Sequence, residues 1–398
     1  MEGDAYEDER TGYAGSMPLS DSDVKKKLLD SFEGDSALRV YLRLRPLTCG
    51  GRSEFSCLQV LDSKTVLAAP LSTDSANNTR FKFSQVFDPA ATQEGVFETA
   101  AASLIDNLVA GKNVLMFAYG PTSSGKTYTM MGPFANPGII PRAMEKLFKV
   151  LGNRIVDACL KPLYFEDVAM LNKGELNRIL QTKAVLLARH KEKQMASFDT
   201  FVLSQHSEEC GADGMSISQI DDVSFIVWLS FYEVYNENVY DLLDTKSIHK
   251  QTCLKVGQDP QKQSYLKGIC EVPVMSADEA YALLCVARSN LHTSTTILNH
   301  RSSRSHSCFN IRLIQYSGEE GKEEYVLSTL TLCDLAGSER SDKAGTSGGT
   351  LREAGRINNS LMVLSRCLES LRNSQNSSSK NLVPFRESKL TQIMQPFF

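Results

Sequence analysis

Two periodicities take turns along this chain, and their order predicts its architecture. Short apolar or alternating runs rich in β-branched and aromatic residues read as strands: "LRVYLRLRPL" over 38–47, stopped by Pro46, "RFKFSQVFD" over 80–88, "KNVLMFA" over 112–118, "CFNIRLIQYS" over 308–317 and "YVLSTLTLCD" over 325–334. Between them apolar residues recur at three and four. Val96, Phe97, Ala100, Ala101, Leu104, Ile105 and Leu108 predict an amphipathic helix between Thr92 and Gly111. "GIIPRAMEKLFKVL" predicts a helix with Pro141 in its first turn, "SADEAYALLCVARSN" one capped by Ser276 with Glu279 three residues on, and "INNSLMVLSRCLESL" another. "VSFIVWLSFYEVYNENVYDLL" (223–243) reads as a strand feeding a helix. Strands alternating with helices predict an α/β fold, a central, mostly parallel sheet flanked by helices on both faces.

The pattern fails in two places. Residues 1–36 hold ten acids and four bases with little periodicity, which predicts a disordered acidic tail. Within the domain from 37 to 398, an insertion at about 153–221 interrupts the order. Its "NRILQTKAVLLARHKEK" is helical in pattern, while "SQHSEECGADGMSISQIDD" is polar and Gly/Ser/Asp-rich, so a partly disordered insertion is expected. No internal repeat and no coiled-coil heptad occurs, so a homodimer would depend on segments outside this sequence.

Composition adds limits. A chain of 398 residues, 42% hydrophobic and with net charge −4, can bury a large core. No apolar run reaches the roughly 20 residues of a membrane helix, and "MEGDAYEDER" is no secretory signal, so the cytoplasm or nucleus is expected, with no membrane insertion. Ten cysteines occur without a C-x-x-C pair or a His-x-x-x-His partner, which argues against zinc and for free, largely buried thiols. Charge is uneven: residues 340–398 carry nine bases against four acids, a balance of +5, leaving −9 on the remainder. A basic face on an acidic protein points to an anionic partner, nucleic acid or an acidic protein; a solvated helical face is the bland alternative.

The sharpest chemistry lies in "FAYGPTSSGKTYTM" (117–130). Gly120-x-x-x-x-Gly125-Lys126-Thr127 has P-loop spacing, with a strand before it and a helix after it; an ordinary Gly/Ser turn is the competing reading. In a P-loop, backbone N–H groups gather on phosphate oxygens at a helix N-terminus, Lys126 reaches the β/γ-phosphates and Thr127 binds Mg²⁺. Hydrolysis also needs an acid near the metal and a γ-phosphate sensor. "TLTLCDLAGSE" (329–339) ends a strand in Asp334, with Gly337 three residues on, where a backbone N–H can approach phosphate unobstructed. "NHRSSRSH" (299–306) offers the Ser302 and Ser303 hydroxyls and the Arg304 fork, and "RLRP" (43–46) sets a planar cation and a ring beside the strand end. "NKGE" (172–175) faintly resembles a guanine-reading N-K-x-D, with Glu for Asp.

Together these segments resemble the kinesin motor domain. "FAYGPTSSGKT" is similar to its P-loop, "NHRSSRSH" to switch I, "DLAGSER" to switch II, "RLRP" to the adenine-side motif, "YEVYNENVYDLL" to a mid-domain signature and "LVPFRESKLTQIM" (382–394) to the microtubule-binding loop and helix. The long insertion and the "LVPFRESKLT" wording resemble the sixth class, the mitotic kinesin-like proteins of the spindle midzone, of the mitotic kinesin-like protein 2 type. The resemblance implies a microtubule-stimulated ATPase using ATP and Mg²⁺, with tubulin rather than nucleic acid as partner and spindle and midzone as location. It implies that Arg43, Arg45, Pro46 and Tyr128 border the adenine. Gly120, Pro121, Thr122, Ser123, Ser124, Gly125, Lys126 and Thr127 would wrap the phosphates, with Thr127, Ser303 and Asp334 serving the metal. It further implies that Ser302 positions water, that Gly337 senses the γ-phosphate, and that Arg304 and Glu339 pair when the site closes. Lys343, Arg352, Arg356, Arg386 and Lys389 would meet the acidic filament.

Two departures stand out. Pro121 replaces the polar residue usual in the family and removes an N–H near the phosphates. The sequence also stops at "QIMQPFF", where the resemblance implies a further central strand, a helix and a neck linker. A gap is therefore expected between the "RVYLRL" strand and the P-loop strand, with some loss of stability. A non-motile microtubule-binding fragment is the alternative reading.

Overall fold

The computed structural model describes residues 38–46, 57–68, 79–196, 223–245, 253–293, 304–317, 324–339, 349–376 and 382–398. In chain order the first half runs β1 (Tyr41–Arg43), β2 (Leu58–Asp62), β3 (Thr65–Ala68), β4 (Thr79–Lys82), β5 (Gln85–Phe87), α1 (Gln93–Ala100), α2 (Ala102–Val109), β6 (Val114–Ala118), α3 (Lys126–Met130), α4 (Ile139–Leu151), β7 (Leu160–Pro162), β8 (Val168–Met170) and α5 (Lys173–Ala196). The second half runs β9 (Ser224–Tyr235), β10 (Asn238–Asp241), β11 (Cys253–Gln258), β12 (Ser264–Lys267), β13 (Val272–Val274), α6 (Ala277–Thr293), β14 (His306–Ser317), β15 (Glu324–Asp334), α7 (Gly349–Asn376) and α8 (Lys389–Met394).

An eight-stranded sheet in the order β12-β11-β10-β9-β14-β15-β6, with β13 also on β9, forms the centre. Its central strand β9 is buried along nearly all its length, residues Phe225–Val234, because both of its faces are covered. On β9 the odd residues Phe225, Val227, Leu229 and Phe231 join the core beneath α1, α2, α4 and α6. The even residues Ile226 and Trp228 pack on the insertion, and Tyr232 and Val234 pack against α7 and α8. Helices therefore flank the sheet on both faces, as the pattern predicts.

Strand direction corrects the expectation. In this sheet only β15 and β6 are parallel; the other pairings, including the long β9–β14 and β14–β15 ladders, are antiparallel. The sheet is mixed, and one of its antiparallel pairs comes from a tight turn. "VYNENVYDLL" is a hairpin, not a strand feeding a helix: Asn236 (φ 54°) and Glu237 (φ 60°) both take the left-handed conformation and return β9 directly into β10. A two-residue turn with two positive φ angles matches strand twist. Without a glycine, nothing in its composition announces it.

Other differences are smaller. The helix predicted from Thr92 to Gly111 is two helices, broken at Ala101 (φ −127°), with the Thr92 hydroxyl capping the first at Gly95 N–H, 3.0 Å. The stretch 80–88 divides into β4 and β5. The first half of the insertion is built into the protein: β7 takes the indole N–H of Trp228 on the Leu160 carbonyl at 3.1 Å, and α5 buries Leu186. "NKGE" is no guanine reader but a capping box, Asn172 and Glu175 each bonding the other's backbone N–H at the start of α5. The polar stretch that follows α5, like residues 1–36, lies outside the described residues. Of the described cysteines, Cys308, Cys333 and Cys367 are buried, whereas Cys57, Cys159 and Cys253 lie at the surface.

β6 bonds β15 on one side and no strand on the other among the described residues, and β1 pairs only with β5, in a separate two-stranded sheet.

Candidate functional site

The site assembles where β6 and β15, parallel neighbours, end side by side, Asp334 opposite Ala118. From β6 the chain enters the 120–125 loop, where Gly120 (φ 154°), Ser123 (φ 63°) and Gly125 (φ 101°) make the sharp path into α3. From β15 it enters the Asp334–Glu339 segment. The two loops are fastened backbone to backbone, Leu335 N–H to Ala118 O at 3.3 Å and Ser338 N–H to Gly120 O at 3.1 Å.

The side chains of the two loops converge. Thr127 donates its hydroxyl to Asp334 Oδ2 at 2.5 Å, and the half-buried Lys126 ammonium bonds the Gly120 and Pro121 carbonyls, each at 2.9 Å. Burial lowers the Lys126 pKa, with Asp334 and Glu339 opposing; burial raises that of Asp334, with the Thr127 bond and Lys126 opposing. Oδ1 of Asp334 is buried and unpartnered. An acceptor to spare beside a hydroxyl is a hard-oxygen donor set, which fits Mg²⁺. No cluster of three or more His, Cys, Asp or Glu among the described residues could hold a metal by itself. A cation here would need oxygen ligands from phosphate as well, as Mg²⁺ in nucleotide sites does.

Glu339 is held on the P-loop. Its carboxylate accepts the Thr122 N–H at 2.8 Å on Oε2 and the Thr122 hydroxyl on Oε1, so both oxygens are engaged by the P-loop rather than by Arg304. Burial raises the Glu339 pKa, but the two Thr122 bonds, with help from Lys126, outweigh it and hold the carboxyl below its usual range. A Cβ at Gly337 would collide with this carboxylate and the Thr122 hydroxyl as they stand, so a side chain there would have to displace them.

The adenine-side residues also have structural work. Arg43 points inward, to Gln93 Oε1 (2.6 Å), Thr129 Oγ1 (3.0 Å) and the Ala91 carbonyl (3.2 Å), and lies 5.2 Å from the Tyr128 ring centre. It is a buttress beneath the exposed Tyr128 more than a free stacking surface. Arg45 donates to the Ser123 carbonyl, and Pro46 is exposed beside it. No motif points to Gln93, which is 2% exposed and also donates to the Tyr128 carbonyl at 2.6 Å.

Two of the basic residues meet the β9–β10 turn. Arg356 of α7 donates to Asn236 Oδ1 at 2.5 Å, and the Lys389 N–H donates to Glu237 Oε2 at 2.8 Å. Arg366 pairs with Glu387 at 2.5 Å, Arg386 lies over Phe385, and the Lys389 ammonium reaches Gln392. Arg352 lies in the first turn of α7. Arg304 sits just before β14, half-buried; Ser302, Ser303 and Lys343 lie outside the described residues.

A P-loop strand and helix, with a buried aspartate closing the next strand onto the P-loop threonine, define the P-loop nucleotide-binding class. The kinesin motor domain family model matches residues 43–398, and the chain belongs to that family. It is 36% identical over 394 residues to kinesin-like protein KIF20B of Homo sapiens and 35% over 424 residues to kinesin-like protein KIF20A of Bos taurus, covering 93% and 94% of this chain. Those matches span 22% and 48% of the two relatives' own lengths. A solved structure titled "kinesin 6" superposes with a TM-score of 0.70 at 32% identity, over 90% of this chain and 89% of the other. "KIF14[391-755] - ADP in complex with a microtubule" gives 0.65 at 28% identity, over 90% and 84%.

Proposed function

We propose that this chain is an ATP-dependent motor head that hydrolyses ATP and couples that cycle to microtubule binding. One observation carries the reading: at the joined ends of β6 and β15 Thr127 bonds Asp334 and Thr122 bonds Glu339, with both carboxylates acting electrostatically on Lys126. Phosphoryl transfer depends on positioning and charge stabilisation, and these residues supply both. Thr127 and Asp334, with Ser303, would hold Mg²⁺, which when bound neutralises phosphate charge. Lys126 would exchange its carbonyl partners for phosphate oxygens, and the backbone at Gly337 would face the terminal phosphate. Ser302 would orient water. Arg304 and Glu339 would pair only after Glu339 leaves Thr122, which makes that bond part of the closing step.

Lys343, Arg352, Arg356, Arg386 and Lys389 are assigned to the acidic filament surface, and the sixth-class resemblance adds the spindle midzone and cytokinesis as the setting. The test is ATP turnover with and without microtubules, with Lys126→Ala as control. Stimulated turnover lost in the variant supports a working head. Microtubule binding without turnover selects the alternative, a non-motile binding fragment.

A further inference from the structure

His306 opens β14 between the nucleotide site and α7, and no role in the proposed function falls to it. Its ring is 2% exposed, yet both nitrogens are bonded. Nδ1 accepts the Ala336 N–H at 3.0 Å, and Nε2 lies 3.0 Å from the Ser360 hydroxyl, which itself donates to the Ile357 carbonyl at 2.8 Å. Because Nδ1 accepts, the proton of a neutral ring sits on Nε2 and is donated to Ser360. Each hydrogen then has one place: Ala336 N–H to imidazole, imidazole N–H to Ser360, Ser360 O–H to Ile357. A second ring proton would set donor against donor at Ala336. The ring is kept neutral first by burial and then by the Lys126 charge, which together bring its pKa to about 4.

The two ends of this chain of bonds belong to elements that the proposed cycle must link. Ala336 lies between Asp334 and Gly337, with no solvent exposure. Ser360, 2% exposed, lies one turn along α7 from Arg356 and upstream of Arg366. Resting on the reading given above, we propose that His306 is a positioning residue: its imidazole ties the main chain at Ala336 to Ser360, passing movement of the Asp334–Glu339 segment to α7. The ring is suited to this because it is planar and bonded at opposite edges. Movement of Ala336 must either break a bond made in a dry site or take the ring, and with it Ser360, along.

Two variants cut the link on different sides. Ser360→Ala removes the α7 partner and leaves the ring; His306→Asn keeps an acceptor for Ala336 but falls short of Ser360. Each should leave turnover without microtubules within about twofold of the parent while reducing microtubule stimulation by about fivefold or more. The double variant should be no worse than either single one by more than about twofold, since one link is cut. Equal stimulation in Ser360→Ala and the parent, or losses that multiply in the double variant, would overturn the inference. Amide exchange in α7 supplies a filament-free arm. A non-hydrolysable ATP analogue with Mg²⁺ should alter exchange around residues 356–364 in the parent and not in Ser360→Ala; an identical response in both overturns the relay. A parent that is not stimulated by microtubules defeats the function proposed above, and the exchange arm then decides the relay by itself.

Discussion

A buried amide is costly unless both ends are bonded, and Gln93 bonds Arg43 with its oxygen and the Tyr128 carbonyl with its nitrogen. It holds both base-side residues at once. Gln93→Leu should therefore cost about 1–3 kcal/mol of stability and raise KM for ATP several-fold with a smaller change in kcat, measured by denaturant unfolding and steady-state turnover. A second residue sets a pH dependence. Asp241 is buried, accepts the Leu243 and Cys270 N–H groups, and has its pKa raised to about 7, first by burial. A carboxyl with a raised folded-state pKa binds more protons native than unfolded. Its contribution is full below about pH 4 and is lost as pH rises through about 7. His306, with its pKa lowered, acts oppositely: its contribution is present above about 6.5 and is lost as pH falls toward 4. Unfolding midpoints of the parent and Asp241→Asn from pH 4.5 to 8 separate the two. The variant should lose the decline between pH 5 and 7, and a parallel pair of profiles would refute the assignment.

At the scale of elements, the insertion helix α5 lies alongside α6, the helix that precedes the 299–306 segment. Lys183 pairs with Glu279 at 2.6 Å, at the capping box that starts α6, and ten residues on Lys193 reaches Ser289 at 2.5 Å. Arg189 caps the Thr245 carbonyl between them, and Leu186 is fully buried. Leu186→Ala should cost about 2–5 kcal/mol, whereas Lys183→Ala should cost about 1 kcal/mol or less, read from urea midpoints. The helix itself was legible, since its composition is helix-forming; its docking was not, because one fully buried leucine among many polar residues leaves a weak periodic signal. The same contrast holds elsewhere. The P-loop, Asp334 and the strands beside them follow from glycine spacing and apolar runs, which are local properties. Strand direction does not: the β9–β10 reversal depends on Asn236 and Glu237 adopting positive φ without a glycine, and β9 pairs with β14 across more than 70 residues of sequence. Nor does the His306 link, whose partners are 30 and 54 residues away.

Across the whole molecule the charge is divided, with +5 on residues 340–398 and −9 on the rest. Attraction to an acidic filament should then come from one face and weaken steeply with salt, while turnover without filament changes little. Co-sedimentation between 25 and 200 mM KCl checks this; salt-independent binding would point to an apolar contact instead. The open side of the sheet has a mechanical meaning. β6 carries the P-loop, is half-buried along its length and, among the described residues, is bonded laterally by β15 and by no second strand. Amides of Val114–Ala118 that face away from β15 should exchange orders of magnitude faster than those of β14, which is bonded on both sides. The phosphate cradle is thus mounted as a cantilever, and whatever strand came to lie along β6 would stiffen it without touching a nucleotide.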